Sequence, residues 1–98
     1  MHIHVTSEAI ADFCRRNHIR KFSFFGSVLR DDFRPDSDVD VLVEFEPGRP
    51  TGFIRLAAMQ LELTGILGRP VDLRTPADLS RYFRDEVVRT ARVQYAGG

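Results

Sequence analysis

Apolar positions along this chain follow two rhythms, one of helical spacing and one of strand runs. Over residues 6–17 they recur at Ile10, Phe13 and Cys14, one face of a helix, and Thr6 or Ser7 stands where an N-cap is needed. Residues 21–25 and 40–45 are short runs rich in β-branched and aromatic side chains, the composition of buried strands. Pro47-Gly48-Arg49-Pro50 is a turn. Residues 52–67 read as a helix with Phe53, Leu56, Ala57, Leu61, Thr64 and Leu67 on one face. Ile54, Ala58, Met59, Leu63 and Ile66 spread its apolar surface well beyond one stripe. A helix apolar nearly all round is deeply buried or shared, and in so short a chain sharing with a second chain is the expectation.

Gly65 or Gly68 ends that helix, and residues 70–74 form a third strand, expected to be central, with Asp72 between Val71 and Leu73. Thr75-Pro76-Ala77-Asp78 has the grammar of a helix start: a Thr N-cap, Pro in the first position and an acidic residue at the third. The helix is expected to reach about Arg92, burying Leu79, Tyr82, Phe83, Val87 and Ala91, with a short extended piece at Val93-Gln94-Tyr95. The pattern predicts an α/β (α+β) fold, a small mixed sheet of three to four strands flanked by about four helices, as a single domain over residues 1–98.

Composition narrows the function classes. Lys plus Arg and Asp plus Glu number 14 each, so net charge gives no ground for expecting direct nucleic-acid binding. A single cysteine, Cys14, excludes an internal disulfide and suits a reducing compartment. No apolar run has membrane-spanning length and no signal-peptide core is present, so the expected location is the cytoplasm, away from the membrane.

The chemistry concentrates in residues 24–45. The first strand stops abruptly at Gly26-Ser27, where glycine lets backbone approach a ligand and Ser27 opens a helical turn, an arrangement that aims N–H groups at an anion. Arg30 falls on that first turn and can reach the same anion. Asp38 and Asp40 bracket the start of the second strand, two residues and so roughly 7 Å apart on one face. Paired carboxylates at the mouth of an apolar strand repel unless a hard cation such as Mg²⁺ lies between them. Asp36, Asp38 and Asp40 imitate the opening of an EF-hand loop, but Val41 replaces its glycine and Pro47 its bidentate glutamate. No Gly-Lys-Ser/Thr follows Gly26, so this is no P-loop. His2 and His4 have chelating spacing at a terminus that is expected to fray. Asp78 is accounted for as part of a helix start.

Gly26-Ser27, ten residues, then Asp38-Val39-Asp40 resembles the GSx10DxD signature of the DNA polymerase β-like nucleotidyltransferase superfamily. Within it the chain looks like the MNT-type minimal nucleotidyltransferases, the antitoxins of HEPN/MNT pairs, and GRPVDLRT with the closing amphipathic segment extends the likeness over nearly the whole chain. The resemblance implies that Gly26, Ser27 and Arg30 bind the phosphates of ATP, and that Asp38, Asp40 and Asp72 are catalytic and bind two Mg²⁺ ions. It places the third carboxylate at Asp72, as base for the acceptor hydroxyl. Asp31 departs from the glycine that often follows the arginine. The implied reaction is AMP transfer to a hydroxyl side chain, tyrosine above all, of a HEPN-domain toxin, with a homo-oligomer possible. Alternatives are a non-catalytic antitoxin that masks its toxin by stoichiometric binding, and transfer to a small-molecule hydroxyl.

Overall fold

The computed structural model describes residues 5–29, 37–48 and 51–97. His2, His4, Arg30, Asp31, Asp36, Arg49 and Pro50 lie outside the described residues. Along the chain come α1 (Ser7–Arg16), β1 (Ile19–Phe25), a 3-10 turn (Gly26–Leu29), β2 (Val39–Phe45), α2 (Phe53–Leu67), β3 (Val71–Arg74), a second 3-10 turn (Pro76–Asp78), α3 (Arg84–Thr90) and β4 (Arg92–Ala96). The strands form one mixed sheet in the order β3-β2-β1-β4. β1 pairs antiparallel with both β2 and β4, whereas β2 and β3 are parallel, as a crossover through α2 requires.

The first two strands arise as their composition predicts. Val39, Val41 and Val43 of β2 and Phe22 and Phe24 of β1 are fully buried against Ile10, Phe13 and Cys14 of α1 and Met59, Leu63 and Leu67 of α2. Phe22 meets Phe13 edge-on at 6.3 Å and Phe24 at 5.6 Å between ring centroids, geometry that favours the ring quadrupoles. Each such side chain contributes about 1.5–3 kcal/mol through burial. Thr6 caps α1, its Oγ1 accepting from the Ala9 N–H at 3.1 Å. Gly68 ends α2 in the left-handed region at φ +70°, its N–H donating to the Thr64 carbonyl. Arg16 bridges the two helices, bonding Asp12 at 2.8 Å and Glu62 at 2.6 Å.

Three expectations change. β3 is an edge strand, not a central one. Its margin is covered in part by α2, where Gln60 Oε1 accepts from the Leu73 N–H at 3.0 Å. α2 buries Met59, Leu63 and Leu67, while Phe53, Ile54 and Leu61 are 91%, 88% and 74% exposed. The inward face is thus rotated from the one read off the sequence, because the stripe that meets β3 and α1 is chosen by sheet position. The long closing helix is also absent. Thr75 to Asp78 starts only a 3-10 turn, after which Leu79 turns extended and is buried. α3 is short and stops at Ala91 because β4 pairs with β1, with Arg92 opposite Phe24. Tyr82, expected in the core, is 84% exposed, and Phe83 is half-exposed.

Candidate functional site

Side-chain alternation divides the sheet into two faces. The valines of β2 look toward α1 and α2; Asp40 and Leu42 look the other way, beside Ser23 and Phe25 of β1 and Asp72 and Arg74 of β3. On that second face Phe25 stands opposite Asp40, and Asp40 opposite Asp72. The carboxylates of two strands thus lie side by side at the point where β1 ends.

β1 ends there because Gly26 adopts φ +71° and turns the chain into the 3-10 turn Gly26–Leu29, which contains Ser27. A Cβ on Gly26 would run into the Asp40 carboxylate, lying 3.2 Å from Cγ and closer still to Oδ2. Glycine is therefore required twice, by its φ and by the close approach.

Asp40, Asp72, Phe25, Arg74, Asp78, Leu79, Ser80 and Phe83 line a cleft of about 240 Å³. A second hollow of about 380 Å³ beside it is lined by Phe53, Leu56, Ala57, Gln60, Leu73, Arg74 and Asp78. Arg74 and Asp78 form the wall between the two. Asp38 is exposed, precedes β2, and stands outside the described lining of either hollow.

Asp72 is held by Arg74 in a bidentate pair: Nε donates to Oδ1 at 3.1 Å and Nη2 to Oδ2 at 3.1 Å. The guanidinium pKa is raised above its ordinary value, chiefly by the hydrogen bond to Asp72, then by its charge, with smaller help from Asp78 and Asp40. Asp78 accepts from the Thr75 N–H at 3.1 Å and from Thr75 Oγ1 at 3.0 Å. It thus performs the capping expected of it and also faces both hollows. Cys14 lies in the core, where burial pushes its thiol up to about 12.

Among the described residues no three His, Cys, Asp or Glu side chains are grouped closely enough to hold a metal ion. The structure brings Asp40 and Asp72 together and leaves Asp38 two residues away at the mouth of β2. The donors are nevertheless hard carboxylate oxygens, the kind Mg²⁺ selects, beside a turn kept open by a missing Cβ. In chemistry this set fits a divalent cation. Sequence reasoning overlooked Arg74, although strand alternation alone puts it on the face of Asp72. It also missed Leu79, Ser80 and Phe83 as cleft walls, for which only the break in the closing helix is a signal.

The class of protein is given by the family comparison. The chain belongs to the nucleotidyltransferase domain family, an enzyme family whose model matches residues 7–94. More particularly, it resembles protein adenylyltransferases. It is 29% identical over 91 residues to one so named from Methanocaldococcus jannaschii, covering 93% of this chain and 96% of that one. It is 32% identical over 71 residues to protein adenylyltransferase MntA of Thermococcus cleftensis, covering 72% and 70%. A solved structure of a minimal nucleotidyltransferase superposes with a TM-score of 0.71 at 39% identity, over 87% of this chain and 85% of that one. A chain of a toxin–antitoxin complex with AMP-PNP shares the fold at TM-score 0.76 and 20% identity, over 94% and 74%. So does one from a complex of MNT antitoxin with the tri-AMPylated HEPN toxin of Shewanella oneidensis, at TM-score 0.68 and 21% identity, over 92% and 69%.

Proposed function

We propose that this chain uses Mg²⁺ to transfer AMP from ATP to a hydroxyl side chain, tyrosine above all, of a partner HEPN-domain ribonuclease toxin, and so acts in the cytoplasm as its antitoxin. The observation that carries the reading is the register of Asp40 with Asp72 in one cleft, beside a glycine turn closed to any larger residue. The names of the relatives, with an AMP-PNP complex and an AMPylated toxin among the structural neighbours, support it.

In this reading Gly26 and Ser27, with Arg30, bind the β- and γ-phosphates. Asp38, Asp40 and Asp72 would hold the cations, which would supply positive charge to offset that of the phosphates during an in-line displacement. Asp72 takes the proton of the acceptor hydroxyl as its oxygen bonds to the α-phosphorus. The bond from that phosphorus to the bridging oxygen breaks, and pyrophosphate leaves. Leu79 and Phe83 give the cleft an apolar wall on the side away from the sheet. The exposed stripe of Phe53, Ile54 and Leu61 supplies a surface for a second chain, the toxin or a like subunit.

The test is the intact mass of a HEPN-domain partner after incubation with this chain, ATP and Mg²⁺. A gain of one or more AMP groups is expected with the wild type and none with Asp40→Asn. An unmodified partner, or equal modification by the variant, overturns the reading.

A further inference from the structure

Arg74 has no part in the transfer outlined above, yet it makes a bidentate contact within the cleft. Nε donates to Oδ1 of Asp72 at 3.1 Å and to Oδ2 at 3.3 Å, and Nη2 donates to Oδ2 at 3.1 Å. The two residues are two apart on β3, so the strand itself delivers the guanidinium to the carboxylate. Asp40 lies across the register from Asp72, and Asp78 lines the same cleft. Without a cation of some kind, these carboxylates would repel. The side chains of Arg74 and Asp72 remain 45% and 37% exposed, so one can leave the other without unfolding anything.

We propose that Arg74 is a positioning residue that holds Asp72 in the metal-free protein and competes with the divalent cation for it. The inference rests on the reading of Asp72 as a metal ligand. The fork occupies acceptor sites on both carboxylate oxygens, and its positive charge repels a cation approaching the same group. The cation and the guanidinium therefore compete for Asp72, and a cation that takes both oxygens must open the fork. Arg74 thereby holds Asp72 in place beforehand, and weakens metal binding in return. The displaced guanidinium stays on the wall between the two hollows.

The experiment is a calorimetric titration with Mn²⁺ alone, without nucleotide, of wild type, Arg74→Gln, Asp72→Asn and the double variant, each checked for fold by circular dichroism. Arg74→Met serves the same comparison without a side chain that could bond to Asp72. Loss of one exposed ion pair predicts Mn²⁺ binding about threefold tighter in Arg74→Gln. In the Asp72→Asn background the same substitution should change nothing, because the competition acts through that carboxylate. Unchanged or weaker binding by Arg74→Gln overturns the proposal. So does equal tightening in both backgrounds, which is general charge repulsion. If Asp72→Asn alone leaves Mn²⁺ affinity as it was, the metal-ligand reading of Asp72 fails, and this inference falls with it. Weakened binding by Asp72→Asn with no gain from Arg74→Gln fails the inference alone.

Discussion

Asp40 of β2 and Asp72 of β3 are register partners across the parallel pair of strands, although 32 positions separate them in the chain. Everything proposed for the site depends on this juxtaposition, which α2 creates by carrying the chain over one face of the sheet. Neither residue specifies it alone.

Gly26→Ala tests the tightness of the turn beside Asp40. The left-handed φ costs a non-glycine residue about 1–2 kcal/mol, and the new Cβ meets the Asp40 carboxylate in addition. Thermal denaturation should show a destabilised protein, and transfer should be lost even at temperatures where it remains folded. Full activity in the variant would mean that Asp40 can move without consequence.

Asp72→Asn separates binding from chemistry. The variant should still bind ATP in the presence of Mg²⁺, while turnover falls by roughly 10²–10⁴-fold, the scale of losing a general base. Calorimetry and single-turnover kinetics measure the two quantities. Parallel loss of both would place Asp72 among the nucleotide-binding groups instead.

α2 should divide sharply into two faces under substitution. Leu63 is fully buried, so Leu63→Glu buries a charge in the core and should unfold the protein. Ile54→Glu and Leu61→Glu replace exposed side chains and should shift stability by no more than about 0.5 kcal/mol. If the exposed stripe meets a second chain, the same two variants weaken assembly in sedimentation with the toxin or alone.

Cys14 should be chemically silent. With its pKa pushed from 9.0 to about 12 by burial, the folded protein holds almost no thiolate at neutral pH. A thiol reagent at pH 8 should label it only after denaturation. The sign of the linkage follows: the stability it contributes is complete below 9.0 and declines as pH rises from there toward about 12. Rapid labelling of the native protein would contradict the packing of α1 on the sheet.

Much of this protein was legible in local pattern. The Thr6 cap and the triplet Ile10, Phe13 and Cys14 specify α1, because a cap and a 3.6-residue stripe are both properties of a single short segment. The strands around Phe22 and Val41 follow from β-branched and aromatic runs, and Gly26 and Gly68 fall where the backbone needs positive φ. Asp40, expected at the start of the second strand, lies there as the second residue of β2.

Other features belonged to tertiary structure because they depend on partners distant in the chain. Which stripe of α2 is buried could not be read from a helix apolar on most sides; contact with β3 and α1 selects Met59, Leu63 and Leu67. The helix expected after Thr75 is interrupted because Leu79 enters the core and residues 92–96 gain more from pairing with β1 than from continuing a helix. That interruption places Leu79, Ser80 and Phe83 over Asp40 and Asp72 and makes a cleft of what would have been an open sheet face. Sequence determines such elements by short-range propensity, whereas burial and strand pairing reward contacts across long separations, so the walls of the site appear only when the chain is folded.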